Sequence, residues 1–201
     1  MREPGRPRQF SDEEAFRGTA QAVSRLGYRG LTMNAVAKVV GCTGPALIHR
    51  FGSKQGLLLG YLDWSIERSN LLFEKSRREY ESPLDALISR FADPAHRHTA
   101  DDVGHSAHVV FFVEGRIDPA FVPEMRRYTS SIVRGIESLL DDAVARGELE
   151  RCHPADLSQL VLAAVVGASL MWTEGSERPL SESVGRLIEA VLAPYRLAHV
   201  R

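Results

Sequence analysis

Cysteines and long apolar runs are scarce in this sequence. Its 201 residues include only two cysteines, Cys42 and Cys152, which lie far apart and form no CxxC pair. A disulfide scaffold and a structural zinc finger are therefore not expected. No stretch reaches the ~18–20 unbroken apolar residues of a membrane span, so we expect no membrane association. Apolar residues at 44% and charged residues at 25% exclude a disordered or fibrous chain.

Signals for secretion and for catalysis are missing as well. Residues 1–10 are polar and rich in arginine and proline, without the apolar stretch of a signal peptide. We therefore expect a cytoplasmic protein. No glycine-rich phosphate loop, nucleophile elbow or Ser/His/Asp arrangement stands out. The sequence predicts neither an enzyme nor a bound cofactor.

The charge is divided unevenly along the chain. Residues 1–60 contain nine Lys/Arg and four Asp/Glu, a net charge of +5, whereas residues 61–201 carry −6. A basic N-terminal part on an acidic remainder indicates a polyanionic partner at one end, although clustered surface charges give the same pattern.

Helix signals recur along the whole chain, and alternating strand patterns are nearly absent. Ser11, Thr32, Thr43 and Ser53 are predicted N-caps of the first four helices. Further helices are expected at about 82–91, 105–114, 118–146, 154–172 and 181–195, with a flexible connection at 92–104. The predicted fold is all-α, with about nine helices.

The first 55 residues predict a helix-turn-helix. Gly41 can adopt a positive φ between the second and third helices, and Thr43 caps the third. Small residues begin this third helix, whereas His49 and Arg50 near its end can contact bases or phosphates in a major groove.

The segment from Gly27 to Leu58 resembles the DNA-binding domain of the TetR family of bacterial one-component regulators. Sixteen residues match the family pattern in order: Gly27, Tyr28, Leu31, Thr32, Val36, Ala37, Val40, Gly41, Thr43, Pro45, Leu47, Arg50, Phe51, Ser53, Lys54 and Leu57. Gly147-Glu148-Leu149 resembles a turn that the family has before its penultimate helix.

The resemblance implies a set of DNA contacts. Thr32, Thr43 and Lys54 would hold phosphates, and the residues facing the major groove would be Gly44, Pro45, Ala46, Ile48, His49 and Arg50. Ile48 replaces a common Tyr that often binds phosphate, and Cys42 replaces a common Val. Ile48 could contact a thymine methyl instead, or the domain could bind a protein.

The N-terminal arm contains Gly5-Arg6-Pro7, which resembles the core of minor-groove AT-hook segments. Arg6 could enter a narrow A·T groove, although a basic tail that adds only non-specific attraction fits equally well.

Residues 56–201 are predicted to form a dimerisation and ligand-binding domain, following a DNA-binding domain at 1–55. The eighth and ninth helices carry small and apolar residues that suit a two-fold four-helix interface, or else a monomer core. The proposed interface residues are Ala164, Gly167, Ala168, Val184, Ile188 and Val191.

Aromatic residues and one methionine between the two ends are candidates for an effector cavity, although each could instead belong to the core. They are Trp64, Phe91, His108, Phe111, Phe112, Met125, Tyr128 and Trp172. Such a wall predicts a substantially apolar ligand.

A second possibility is a metal site, because imidazoles and carboxylates cluster within thirteen residues. They are His96, His98, Asp101, Asp102, His105 and His108. His105 and His108 have the i, i+3 spacing of helical metal ligands, but no recognised zinc motif is present. The sequence thus favours a ligand-responsive, homodimeric repressor of a pseudo-palindromic operator, with a metal sensor or metal-dependent enzyme as the alternative.

Overall fold

The computed structural model describes residues 10–96, 102–150, 152–172 and 176–197. In this part of the chain the structure is helical. The helices are α1 (Asp12–Gly30), α2 (Met33–Val40), α3 (Gly44–Phe51), α4 (Lys54–Glu79), α5 (Pro83–Ala92), α6 (Asp102–Glu114), α7 (Val122–Ala145), α8 (Pro154–Met171) and α9 (Leu180–Leu192). Extended pairing among the described residues is limited to one bridge, between Leu149 and Arg196. The predicted all-α fold is confirmed.

Four helices begin at the predicted hydroxyl caps. The Ser11 side chain accepts from the Glu14 amide, and the Glu14 carboxylate accepts from the Ser11 amide at 2.8 Å. Thr32, Thr43 and Ser53 each accept from the amide three residues later. These bonds satisfy amides that the first helical turn leaves without partners, and so the caps set the helix starts.

The first three helices form a compact head. The turn between α2 and α3 is made by Gly41, whose φ of +79° places it in the left-handed region that favours glycine. Val36, Ala37 and Leu47 are buried on the inner sides of α2 and α3. α1 extends beyond the predicted end at Gly27, where the backbone kinks at a φ of +65°, and continues to Gly30.

α4 joins the head to a helical body. It packs against α1 and α3 at its start and against α5 and α7 further along. The apolar residues Leu57, Leu58 and Leu62 are buried on one side of α4. α7 lies between α4 and α8, whereas α9 packs against α5 and α8.

The turn after α7 fastens the start of α5. Gly147 adopts a φ of +72°, and the next residue, Glu148, turns its carboxylate towards α5. That carboxylate accepts from the Ser82 hydroxyl at 2.8 Å and from the Leu84 amide at 3.2 Å. Glu148 therefore completes the N-terminal cap of a helix 64 residues earlier in the chain.

Three predicted boundaries are wrong. α6 begins at Asp102, and His96 is buried in a short 3-10 turn, so neither belongs to a loose connection. α7 begins at Val122 because the Asp118 carboxylate accepts from the Ala120 amide in a turn. α9 begins at Leu180, before the predicted cap, and its first amide donates to Asp102 Oδ2 at 2.9 Å.

α8 is long and apolar enough to cross a membrane, by length and composition only. The sequence predicts no such segment, because Asp156, Ser158 and Gln159 interrupt the apolar run. The core helix of a soluble protein can have the same length and composition, so one such helix is weak evidence of a membrane span. A third of α8 is buried within the subunit. Its outer face therefore leaves apolar residues exposed.

Candidate functional site

The outer surface of the head is formed by α3. Pro45, Ile48, His49 and Arg50 are exposed, and Ala46 is half-buried. The apolar side chain of Ile48 has 49% of its surface exposed. This surface carries a basic end, whose side chains can reach base edges, and an apolar centre, which can contact a thymine methyl.

Gly44 differs from the other residues predicted to face the groove, because it is buried. A Cβ at this position would lie 2.1 Å from the side-chain oxygen of Asn34 in α2. The small residue at the start of α3 is therefore explained by the close approach of α2, and groove contact is not needed to account for it.

Arg50 is held against α1. Its Nε donates to Asp12 Oδ1 at 2.9 Å, and both side chains are about half exposed. An ion pair this exposed contributes little to stability and exchanges readily for another acceptor. A phosphate or a guanine edge could thus compete with Asp12 for the guanidinium.

The predicted phosphate contacts lie at helix starts. Thr32 caps α2 and Thr43 caps α3, so each hydroxyl bonds an amide of its own helix. Lys54 begins α4, and its ammonium lies 5.6 Å from the ring centre of Tyr28. Helix N-termini and a lysine on one side of the head suit phosphate oxygens. Arg6 lies outside the described residues.

A cavity of about 100 Å³ lies inside the body. Four predicted wall residues line it: Phe91, His108, Phe112 and Tyr128. Residues that sequence reasoning missed complete the wall: Arg90, His105, Val109, Val113, Arg116, Thr129, Ile132, Leu162, Val165 and Val166. The lining is mostly apolar, as predicted, but it contains a buried arginine.

Four predicted wall residues lie elsewhere. Phe111 is buried against the Tyr28 ring of the head, with ring centres 5.5 Å apart. Trp64 stacks on the ring of Tyr61 in α4, and Met125 packs under Gly115. Trp172 lies at the end of α8, where its indole donates to the Arg178 carbonyl. These side chains fill the core or its edge. Residue type alone does not show whether such a side chain packs in the core or lines a ligand cavity.

A hydrogen-bonded chain of rings crosses the cavity wall. Tyr61 Oη lies 2.8 Å from His108 Nδ1, and Tyr128 Oη lies 3.5 Å from His108 Nε2. Burial, followed by the nearby charges of His105 and Arg90, lowers the pKa of His108 from 6.5 to about 3. Burial also raises the pKa of Tyr128 to about 12. All three rings are therefore neutral at physiological pH, and they tie α4, α6 and α7 together.

The proposed metal cluster is not assembled in the described part of the chain, where no group of three or more His, Cys, Asp or Glu residues could hold a metal ion. His96 is buried and bonded to Ser89 and Glu79, whereas Asp102 accepts from the start of α9. His108 belongs to the tyrosine chain and His105 lines the cavity. His98 and Asp101 lie outside the described residues.

The proposed dimer residues divide into two groups. Ala168, Val184 and Ile188 are buried within the subunit and pack in its core. Ala164, Gly167 and Val191 are half-buried. α8 is apolar nearly all round, so its sequence does not show which of its faces turns inward.

The outward face of α8 and α9 includes large apolar side chains. Leu160, Leu170 and Leu187 are each about half exposed, and Met171 is 84% exposed. A Cβ at Gly167 would meet no atom within 4 Å, so this small residue also faces open space. We define this surface, with Ala163, as the α8–α9 face. Contiguous exposed apolar surface of this kind marks an interaction site.

Comparison with known proteins identifies the head. Residues 16–61 match the sequence model of the bacterial regulatory proteins of the tetR family. The match spans α1 from Phe16 onward, α2, α3 and the start of α4. Residues 16–61 are therefore a DNA-binding head of the tetR family. The predicted resemblance is confirmed, and α2 and α3 form the helix-turn-helix of this head.

Solved structures with the same fold cover nearly the whole chain. A TetR transcription regulator from Haloarcula marismortui superposes with a TM-score of 0.72 at 18% identity, over 92% of this chain and 98% of that one. A TetR-family regulator from Agrobacterium tumefaciens gives 0.74 at 18%, over 92% and 97%. One from Cytophaga hutchinsonii gives 0.74 at 13%, over 95% and 100%.

These identities show the shared TetR-family fold and nothing about operator or effector. No curated protein matches the sequence.

Proposed function

We propose that this TetR-family regulator is a cytoplasmic, homodimeric repressor of a pseudo-palindromic operator. It releases DNA when a small, largely apolar effector occupies the cavity. α3 enters the major groove with Pro45, Ala46, Ile48, His49 and Arg50, while Thr32, Thr43 and Lys54 contact phosphates. The exposure of Pro45, Ile48, His49 and Arg50 supports the assignment, and the net charge of +5 in residues 1–60 favours a polyanion at this end.

The α8–α9 face pairs two subunits. Its exposed leucines and small residues allow two copies of these helices to approach closely and form a four-helix interface. A two-fold dimer presents two α3 helices to two half-sites about one DNA turn apart. The proposed operator is a pseudo-palindrome for this reason. Residues 1–55 form the DNA-binding domain, and residues 56–201 form the domain that binds the effector and dimerises.

α6 carries the coupling between effector and DNA. On one side it contributes His108 and Phe112 to the cavity wall. On the other, Phe111 packs against Tyr28, and α6 lies along α1 of the head. An effector that prefers a shifted α6 therefore biases the orientation of the head. A coupling of about 1–3 kcal/mol would weaken DNA binding about 5- to 150-fold.

Selection of genomic DNA tests the DNA-binding part. Fragments of the source genome are incubated with the purified protein, retained fragments are sequenced, and the selection is repeated with the His49→Ala and Arg50→Ala double variant. We expect one enriched pseudo-palindromic sequence with wild-type protein and none with the variant. Equal enrichment by both proteins would show that α3 does not read the sequence.

A further inference from the structure

Arg90 is buried beside the cavity. This residue of α5 is 3% exposed and lies in the cavity wall. Its guanidinium donates to the His96 carbonyl at 3.1 Å and to the Ser69 hydroxyl at 3.0 Å, both neutral acceptors. Its Nε has no hydrogen-bond partner among the described residues.

No described carboxylate balances this charge. Arg90 forms no ion pair with an Asp or Glu in the described ranges, and none of the described residues that line the cavity is acidic. The titratable groups that line the cavity are Arg90, His105, His108, Arg116 and Tyr128.

The surroundings of Arg90 stabilise its charge only in part. The rings of Phe73 and Phe91 lie 4.8 and 5.0 Å from its guanidinium carbon. Burial, followed by the repulsion of Arg68, lowers the pKa of Arg90 to about 10, which still leaves it charged at neutral pH. A buried charge that lacks a counter-ion is costly, and a bound anion would remove that cost.

We propose that the effector is a small organic acid, whose carboxylate binds Arg90 while its apolar body fills the rest of the cavity. This inference rests on the proposed function, because it names the ligand of the same cavity. Arginine binds carboxylates with paired, charge-assisted hydrogen bonds, and the partnerless Nε is one such donor. Phe112, Val109 and Ile132 supply apolar wall for the body of the ligand.

The size of the cavity limits the acid. Its volume of about 100 Å³ is somewhat below the ~150 Å³ of an engineered cavity that holds a benzene ring. A short branched acyl chain fits this scale, a single ring is at its upper limit, and a polycyclic molecule exceeds it. Isovalerate, benzoate and phenylacetate are therefore suitable probes, each paired with its uncharged amide.

Binding is measured without DNA, by calorimetry and by thermal shift, so that the result does not depend on operator recognition. We expect at least one acid to bind wild-type protein about ten- to hundredfold more tightly than its amide. Arg90→Met should abolish this preference, whereas Arg90→Lys should keep part of it. Arg127→Met, on the exposed outer side of α7, should bind as wild type does.

The stability of the unliganded variants separates ligand binding from a structural role. If Arg90 serves the ligand, unliganded Arg90→Met should melt at the wild-type temperature or above it, because an uncompensated charge has been removed. The proposal is overturned if no acid binds better than its amide, or if Arg90→Met keeps the preference. Saturation of the site by chloride alone would also overturn it. If the protein binds the acids but no specific DNA, the proposal of an acidic ligand stands and the proposed operator binding is wrong.

Discussion

The Tyr28 hydroxyl donates a hydrogen bond of 2.9 Å to the carboxylate of Asp118, 90 residues away, and so joins the head to the body. Burial, followed by this bond, raises the pKa of Tyr28 to about 12. The Tyr28 ring also packs against Phe111 and Phe121. The kink at Gly27 turns the end of α1 towards this contact. The end of α1, with Gly27 and Tyr28, thus holds the head against α6, the helix that borders the cavity.

We expect Tyr28→Phe to lower the free energy of unfolding by about 1–2 kcal/mol, because it removes a bond to a carboxylate and leaves the ring packing intact. Urea unfolding of Tyr28→Phe, Asp118→Asn and the double variant forms a double-mutant cycle. The expected interaction energy is at least about 0.5 kcal/mol. Strictly additive effects would show that the two groups do not interact in solution.

The buried His108 predicts a pH dependence of stability. Its pKa is about 3 in the folded protein and about 6.5 in the unfolded chain. Between these values the unfolded chain binds a proton that the folded protein does not. Stability therefore falls as the pH is lowered from 6.5, by up to about 1.4 kcal/mol per pH unit. His108→Gln should remove this part of the slope.

Urea unfolding from about pH 7 to about pH 5 measures that slope. His153→Gln is the matched control, because His153 is exposed at the start of α8 and should leave the slope unchanged. Identical slopes for wild type and His108→Gln would mean that His108 titrates alike in the folded and unfolded states.

Charges placed on the α8–α9 face should separate the subunits. Leu160→Glu combined with Leu187→Glu places two like charges from each subunit in an apolar interface, where they lose water without gaining partners. Analytical ultracentrifugation should show a dimer for wild type and a folded monomer for the double variant.

Leu71→Glu provides the comparison, since Leu71 is an exposed leucine of α4 outside this face. It should sediment as the wild-type protein does. If the double variant remains dimeric, the subunits pair through another surface. If the wild-type protein is monomeric, the proposed dimer is wrong.

Local signals in the sequence predicted the fold well. The caps Ser11, Thr32, Thr43 and Ser53 act within one helical turn, so their residue types determine the helix starts directly. The start of α9 could not be found in this way, because its cap, Asp102, lies 78 residues earlier. The second role of Glu148, as a cap for α5, is equally remote in sequence.

The candidate sites were harder to predict, since they depend on which side of a helix faces inward. Val184 and Ile188 belong to the core, whereas Leu187 between them is exposed. Arg90 left a usable signal, as a charge in the apolar segment Ile88-Ser89-Arg90-Phe91. Its burial depends on how α5 packs in three dimensions, which helical periodicity alone does not give.

The ion pair between Arg50 and Asp12 allows DNA binding by α3 to be tested with two matched variants. Arg50→Ala removes both the ion pair with Asp12 and the proposed DNA contact. Asp12→Ala breaks the same ion pair but leaves the guanidinium free for DNA. The two variants therefore separate a lost DNA contact from a loosened head.

The most direct measurement is fluorescence anisotropy on a labelled duplex from upstream of the protein's own gene, at two salt concentrations, against scrambled competitor. Wild type should bind in a way that resists the competitor and weakens with salt. Arg50→Ala should lose this binding, whereas Asp12→Ala should keep or strengthen it. Equal binding to both duplexes, or equal losses in the two variants, would contradict sequence reading by α3.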